Sequence, residues 1–161
     1  MQENNKEIVV IVYNLRSVYN VGSIFRTADA AAVGKIYLVG TSPTPKDRFG
    51  RWRKDLAKVA LGAEKTLDWE YKEDIQTLIS ELKGKSFKIL ALEQDEKSVN
   101  FSERESADKL ALIVGNEPDG IEKETLKLAD KIIEIPMLGQ KESLNVAVAF
   151  ALAVYSLRFS H

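Results

Sequence analysis

Short runs of β-branched and other apolar residues recur along this chain. Each is separated from the next by residues with helical spacing or by loops, and this alternation restricts the fold more than any other feature. The runs are EIVVIVY at 7–13, KIYLVG at 35–40, SFKILAL at 86–92, LALIV at 110–114 and KIIEI at 131–135. Each reads as a buried strand. Helical character appears at 21–33, where Asn20 is a candidate N-cap, at 51–61, and at 72–83, where Ile75, Leu78, Ile79 and Leu82 share a face. It appears again at 122–129 and at 143–157, where the helix is almost wholly apolar and Ser143 is a candidate cap. Residues 14–20, 41–50 and 136–142 read as loops, and 94–109 as polar and irregular. The 7–40 segment is a βαβ unit, expected to be parallel with a right-handed crossover. The expected fold class is α/β, a mostly parallel sheet with helices on both faces. No repeat, linker or low-complexity segment divides the chain, so 1–161 is read as one domain.

Composition removes several chemistries. There is no cysteine, and the one histidine is the last residue, His161. Thiol chemistry, histidine catalysis and a histidine or thiolate metal site are therefore set aside. Net charge is −1, so any contact with nucleic acid must come from a local basic patch. No apolar run is long enough to cross a bilayer, and residues 1–6 carry no signal-peptide core. A cytoplasmic location is expected.

Three stretches carry candidate chemistry. Asn20-Val21-Gly22-Ser23-Ile24-Phe25-Arg26-Thr27 opens the first helix. Free N–H groups there favour an anion, and Arg26 can reach a phosphate or a partner's active site. Lys46-Asp47-Arg48-Phe49-Gly50-Arg51-Trp52-Arg53-Lys54 interleaves cations with aromatics, a pattern that suits phosphates and stacked bases. Leu112-Ile113-Val114-Gly115-Asn116-Glu117-Pro118-Asp119-Gly120-Ile121 brings a buried strand to a glycine-bounded loop with an amide and a carboxylate. Open α/β sheets place ligands at such strand ends. A further stretch, 135–147, ends a strand at Pro136 and enters the last helix past Ser143 and Asn145, an asparagine that needs a partner for its amide. Neither G-x-G-x-x-G nor a Walker loop is present.

Together the 20–27, 112–121 and 135–149 stretches resemble, in order and spacing, the three motifs of the SpoU/TrmH family, part of the SPOUT superfamily of RNA methyltransferases. Val59-Ala60-Leu61-Gly62-Ala63 also resembles a segment of family members. The resemblance implies a deep trefoil knot at the carboxyl end. It also implies S-adenosylmethionine, held largely through backbone groups by Leu92, Gly115, Asn116, Ile135, Met137, Ser143 and Leu144. The catalytic set implied is Asn20, Arg26, Glu117, Ser143 and Asn145. RNA contacts are expected at Arg26, Arg48, Arg51, Arg53 and Lys54.

The activity implied is methyl transfer to a ribose 2′-hydroxyl of tRNA or rRNA by a homodimer that uses neither metal nor membrane. The apolar last helix, with Val146, Ala149, Phe150, Ala153, Val154 and Leu157, is consistent with a dimer. The chain resembles the family's minimal form, so the catalytic domain and its partner are expected to grip RNA. A guanidinium is effectively always protonated, so Arg26 is read as a phosphate clamp and stabiliser of the forming alkoxide. Glu117 or a substrate phosphate oxygen then accepts the proton. The alternative is a non-catalytic RNA-binding protein that keeps the fold.

Overall fold

The structure is a computed structural model that describes residues 5–116 and 119–160. Its strands are β1 (Glu7–Tyr13), β2 (Lys35–Val39), β3 (Trp69–Lys72), β4 (Lys88–Leu92), β5 (Val99–Asn100), β6 (Lys109–Gly115) and β7 (Lys131–Glu134). They form one sheet in the order β3-β2-β1-β6-β4-β7-β5. Every pairing between these strands is parallel. The carboxyl ends therefore share one edge, which is where a site is to be sought.

Side-chain alternation explains why the strand sequences are continuously apolar. Ile8, Val10 and Val12 of β1 and Leu110, Leu112 and Val114 of β6 enter one core. Val9, Ile11, Ala111 and Ile113 enter the other. Both faces are covered, so both parities must be hydrophobic. The first core receives α1 (Val18–Ala30), α2 (Lys54–Ala60), α3 (Ala63–Thr66) and α6 (Val146–Phe159). The second receives α4 (Ile75–Gly84) and α5 (Lys123–Leu126). Gly22 lets α1 lie against α2, since a Cβ there would stand 2.9 Å from Val59 Cβ and 3.0 Å from the Leu56 carbonyl.

Several boundaries differ from the sequence expectations. The first helix is capped by Ser17, whose hydroxyl accepts from the Asn20 N–H at 3.1 Å, so it begins before Asn20. Asp74 caps α4 in the same way. Leu61 adopts the left-handed conformation and ends α2, α3 and most of β3 lie where the sequence reading assigned no element, and Lys72, expected to open a helix, belongs to β3. Asn145, rather than Ser143, caps α6, accepting from Ala147 N–H at 2.9 Å and Val148 N–H at 3.4 Å. The α6 residues expected to leave a face bare instead fill the core, with only Ala149 half-buried. The bare stripe is Val148, Leu152, Tyr155 and Phe159, ranging from 40% exposed at Tyr155 to 66% at Phe159.

Arg158, almost fully buried near the end of α6, fastens the first core. Its guanidinium donates to the carbonyls of Lys6 at 2.6 Å, Ala31 at 2.9 Å and Ala32 at 2.8 Å. The last two lie just past α1, where backbone carbonyls are orphaned and a cation complements the helix dipole.

Candidate functional site

A cleft of about 550 Å³ opens at the carboxyl ends of β4, β6 and β7. That volume lies within the range of ordinary small-molecule sites. Leu92, Gly115, Asn116, Ile135, Met137, Ser143 and Leu144 all line it, so the residues expected to hold a cofactor converge from three separate segments. Among its lining residues are the apolar Leu92, Val114, Ile135 and Leu144. The acidic residues Glu93, Glu134 and Glu142 also line it.

Local bonds shape the mouth of the cleft. Gly120 N–H donates to the Asn116 carbonyl at 2.6 Å and closes the loop after β6. The Glu93 carboxylate accepts from Ile121 N–H at 3.0 Å and so holds the far side of that loop. Gly120 is at φ 67°, and a Cβ on it would stand 2.4 Å from Glu93 Oε2. Opposite, Gln94 Nε2 donates to the Glu142 carbonyl at 2.8 Å, linking the end of β4 to the segment before α6. The sequence reading missed both Glu93 and Gln94. Their signal was their place immediately after a buried strand.

Beside the cleft, Tyr13 is in register with Gly115. Its hydroxyl donates to Glu122, whose carboxylate also accepts from Thr125 Oγ1 at 2.7 Å. Burial, then the Glu122 bond, push Tyr13 up to about 12, so near neutral pH it is a donor and not a base. Burial pushes the Glu122 carboxyl up, but the Tyr13 and Thr125 hydroxyls outweigh it and leave the group below its ordinary value.

The expected catalytic residues fall into distinct places. Ser143 lines the cleft, and Asn145 stands two residues on. Asn145 Nδ2 donates to Asn20 Oδ1 at 3.2 Å, joining the first and third sequence motifs across 125 residues. Asn145 therefore uses its oxygen to cap α6 and its amide nitrogen to hold Asn20. Replacing it separates the two roles. Asn145→Ala is expected to lose about 1 kcal/mol of stability in thermal unfolding. Asn145→Asp keeps the cap but cannot donate, so it should unfold like the parent while still releasing Asn20.

Arg26 is exposed, and its side chain forms no ion pair or hydrogen bond among the described residues. It stands six residues beyond Asn20, roughly 9 Å along the helix and about 120° around it. It does not line the cleft of its own chain. Glu117 lies outside the described residues.

Of the expected RNA-binding residues, Arg26 stands apart on α1, whereas Arg48, Arg51 and Arg53 lie between β2 and α2, and Lys54 opens α2. There Arg51 pairs with Asp47 at 3.0 Å and Arg53 with Asp55 at 2.9 Å, while Arg48 and Lys54 have no ion pair among the described residues.

Comparison with known proteins places this geometry among relatives. The model of the SpoU rRNA Methylase family matches residues 7–155. The tRNA (guanosine(18)-2'-O)-methyltransferase of Aquifex aeolicus is 31% identical over 155 residues, covering 96% of this chain and 70% of that protein. The Escherichia coli K12 protein of the same name is 33% identical over 149 residues, covering 92% of this chain and 62% of its own length. The chain thus spans about two thirds of these relatives. The crystal structure of the A. aeolicus TrmH/SpoU tRNA modifying enzyme superposes with a TM-score of 0.82 at 30% identity, over 95% of this chain and 74% of that one. The AdoMet-bound rRNA methyltransferase of Sinorhizobium meliloti has the same fold, with a TM-score of 0.84 at 24% identity, over 93% of this chain and 55% of that one.

Proposed function

Since the chain belongs to the SpoU rRNA methylase family, we propose that it transfers a methyl group from S-adenosylmethionine to a ribose 2′-hydroxyl of tRNA or rRNA. The observation that carries this reading is the convergence of Gly115, Ile135, Met137, Ser143 and Leu144 on one cleft. The same membership supports a trefoil knot, with α6 threaded through a preceding loop.

The cleft fits the cofactor chemically. Its apolar lining residues suit an adenine ring, and its acidic ones suit a molecule with sulfonium and ammonium charges. S-adenosylmethionine supplies an electrophilic methyl group. The rest falls to the chain and the RNA. A hydroxyl is a poor nucleophile until its proton is accepted, and Glu117 or an RNA phosphate oxygen takes it. Arg26 clamps phosphate and stabilises the developing alkoxide. Ser143 and Asn145 orient the segment and the ribose.

Because Arg26 lies off its own cleft, the proposed active unit is a homodimer in which Arg26 serves the partner's cleft. The bare apolar stripe of α6 gives the second copy a surface to cover.

Gly115 offers a direct test of the cleft. A Cβ there would stand 2.5 Å from Ile121 Cγ1 and 3.2 Å from the backbone of Gly120 and Ile121. Gly115→Ala must displace that loop, and S-adenosylmethionine affinity by titration calorimetry is expected to fall roughly ten-fold or more. The function itself is tested with labelled S-adenosylmethionine and total RNA, separated by size and digested to nucleosides. A labelled 2′-O-methylnucleoside supports the reading. Cofactor binding without transfer to any RNA counts against it.

A further inference from the structure

A second cavity, of about 800 Å³, opens at the β2–β3 end of the sheet. It is walled by Ser42 and Thr44 after β2, by Arg48 and Phe49 of the following loop, and by Trp69 and Tyr71 of β3. The strand order puts β3 three strands from β6. At about 4.8 Å per strand, roughly 14 Å separates this cavity from the end of β6. The β1–α1 connection, which leads to Asn20, lies between the two.

The wall at 45–53 is held in place. Lys46 bridges Trp52, and Arg53 N–H donates to the Pro45 carbonyl at 2.8 Å. The Asp47 carboxylate accepts from Phe49 N–H at 2.8 Å, Arg51 N–H at 3.0 Å and Arg51 Nε at 3.0 Å. The Arg51 backbone N–H foremost, with that of Phe49, holds the Asp47 carboxyl below its ordinary value. Gly50, at φ 75°, makes the turn.

This fixed loop carries Phe49 outward, 66% exposed, with the guanidinium carbons of Arg48 and Arg51 at 4.8 and 4.9 Å from its ring centre. Trp52, beside it, is 40% exposed, with Lys46 and Lys65 Nζ at 4.8 and 5.3 Å from its ring. Tyr71 is also exposed, anchored by its hydroxyl to the Gly40 carbonyl at 3.0 Å. Flat rings held open on a pre-formed loop and surrounded by cations match a nucleotide, which is a π-face joined to an anion.

We propose that this cavity is a base-reading subsite. It takes one unstacked nucleobase of the substrate RNA, a few nucleotides from the methylated ribose, with Phe49 against the base and Arg48 on its phosphate. The proposal rests on the RNA methyltransferase reading above.

The chain's two tryptophans, Trp52 and Trp69, both stand at this loop and cavity, so intrinsic fluorescence reports on it without any need for turnover. The probes are an adenosine octaribonucleotide and an abasic ribose-phosphate octamer of equal charge. The base-bearing probe is expected to quench the tryptophans and bind more tightly than the abasic one. Phe49→Ala should weaken the former roughly ten-fold and leave the latter unchanged. Arg48→Gln should weaken both and flatten their salt dependence. Phe49 is largely exposed, so its removal leaves the fold intact.

Equal binding of the two probes, or equal competition by poly-glutamate, would reduce the site to a patch of charge and overturn the proposal. Methyl transfer to RNA without base-dependent quenching would sink the subsite and leave the function standing. Base-dependent quenching without transfer to any RNA would leave a base-binding cavity but sink the enzyme reading, and with it the claim that the cavity serves a methylated substrate.

Discussion

Replacing Arg26 by alanine is expected to lower methyl transfer about 10²–10³-fold, the usual cost of removing one charge-stabilising donor. S-adenosylmethionine affinity should be unchanged, because Arg26 does not line the cleft. Nor should stability change, because its side chain is exposed and unpaired among the described residues. The effect should fall on turnover, and Arg26→Lys should remain well below the parent, since an ammonium cannot reproduce the planar fork. The placement of Arg26 permits a sharper test. Arg26→Ala and Gly115→Ala protomers can be unfolded, mixed and refolded together, then assayed at an S-adenosylmethionine concentration well below the Kd of the Gly115→Ala cleft, where each is strongly impaired alone. If Arg26 serves the partner, each mixed dimer has one intact cleft facing one intact arginine. Activity should then return at about one quarter of the clefts. A mixture as inactive as its components would show that Arg26 acts on its own chain.

Arg158→Met is expected to destabilise the protein by about 2–4 kcal/mol, because the carbonyls of Lys6, Ala31 and Ala32 lose a charged donor together. For a chain of this length that is a fall in melting temperature of roughly 5–15 °C. Burial pulls the Arg158 guanidinium down from its ordinary value, yet the three carbonyls surround it as a cation would need. Arg158→Lys should recover only part of the loss, because one ammonium lacks the rigid fork that spans two chain segments. Recovery of full stability with methionine would mean that the three carbonyls are satisfied by water.

Strand–helix alternation made the α/β class legible because both faces of the sheet are covered, which forces strands such as EIVVIVY to be apolar throughout. The motif residues could be picked out because glycines and polar groups interrupt those runs at their carboxyl ends. What sequence periodicity could not tell was how neighbouring polar residues divide their labour. Ser17 and Asn20 are both good helix caps, and only the backbone conformation of 17 decides between them. Ser143 and Asn145 pose the same choice at α6, settled by the extended turn at Asn145. The outward stripe of α6 was hidden because the helix is apolar on every side, so its pattern does not mark which face meets the sheet. The strand Trp69–Lys72 was lost for the opposite reason. It is an edge strand with mixed polarity, WEYK, and carries little of the signature of its buried neighbours. Glu93 was passed over despite its place after a buried strand, because its task is to hold a backbone N–H of a loop distant in sequence.

The neighbours of β1 in the sheet have unequal histories. β2 follows it after one helix, whereas β6 arrives only after most of the chain has been made. The bond from Arg158 to Lys6 stretches this further, spanning 152 residues. The entropy of closing such a loop must be met before the contacts that reward it exist. A β1–β2–β3 segment can assemble early, but one side of β1 then stays open until β6 inserts. Part of the first core stays uncovered until α6 docks. The rate-limiting event in refolding is therefore expected to be this late insertion, on a scale of roughly milliseconds to seconds, and until then the exposed edge of β1 is the place where a folding chain can pair with the wrong neighbour.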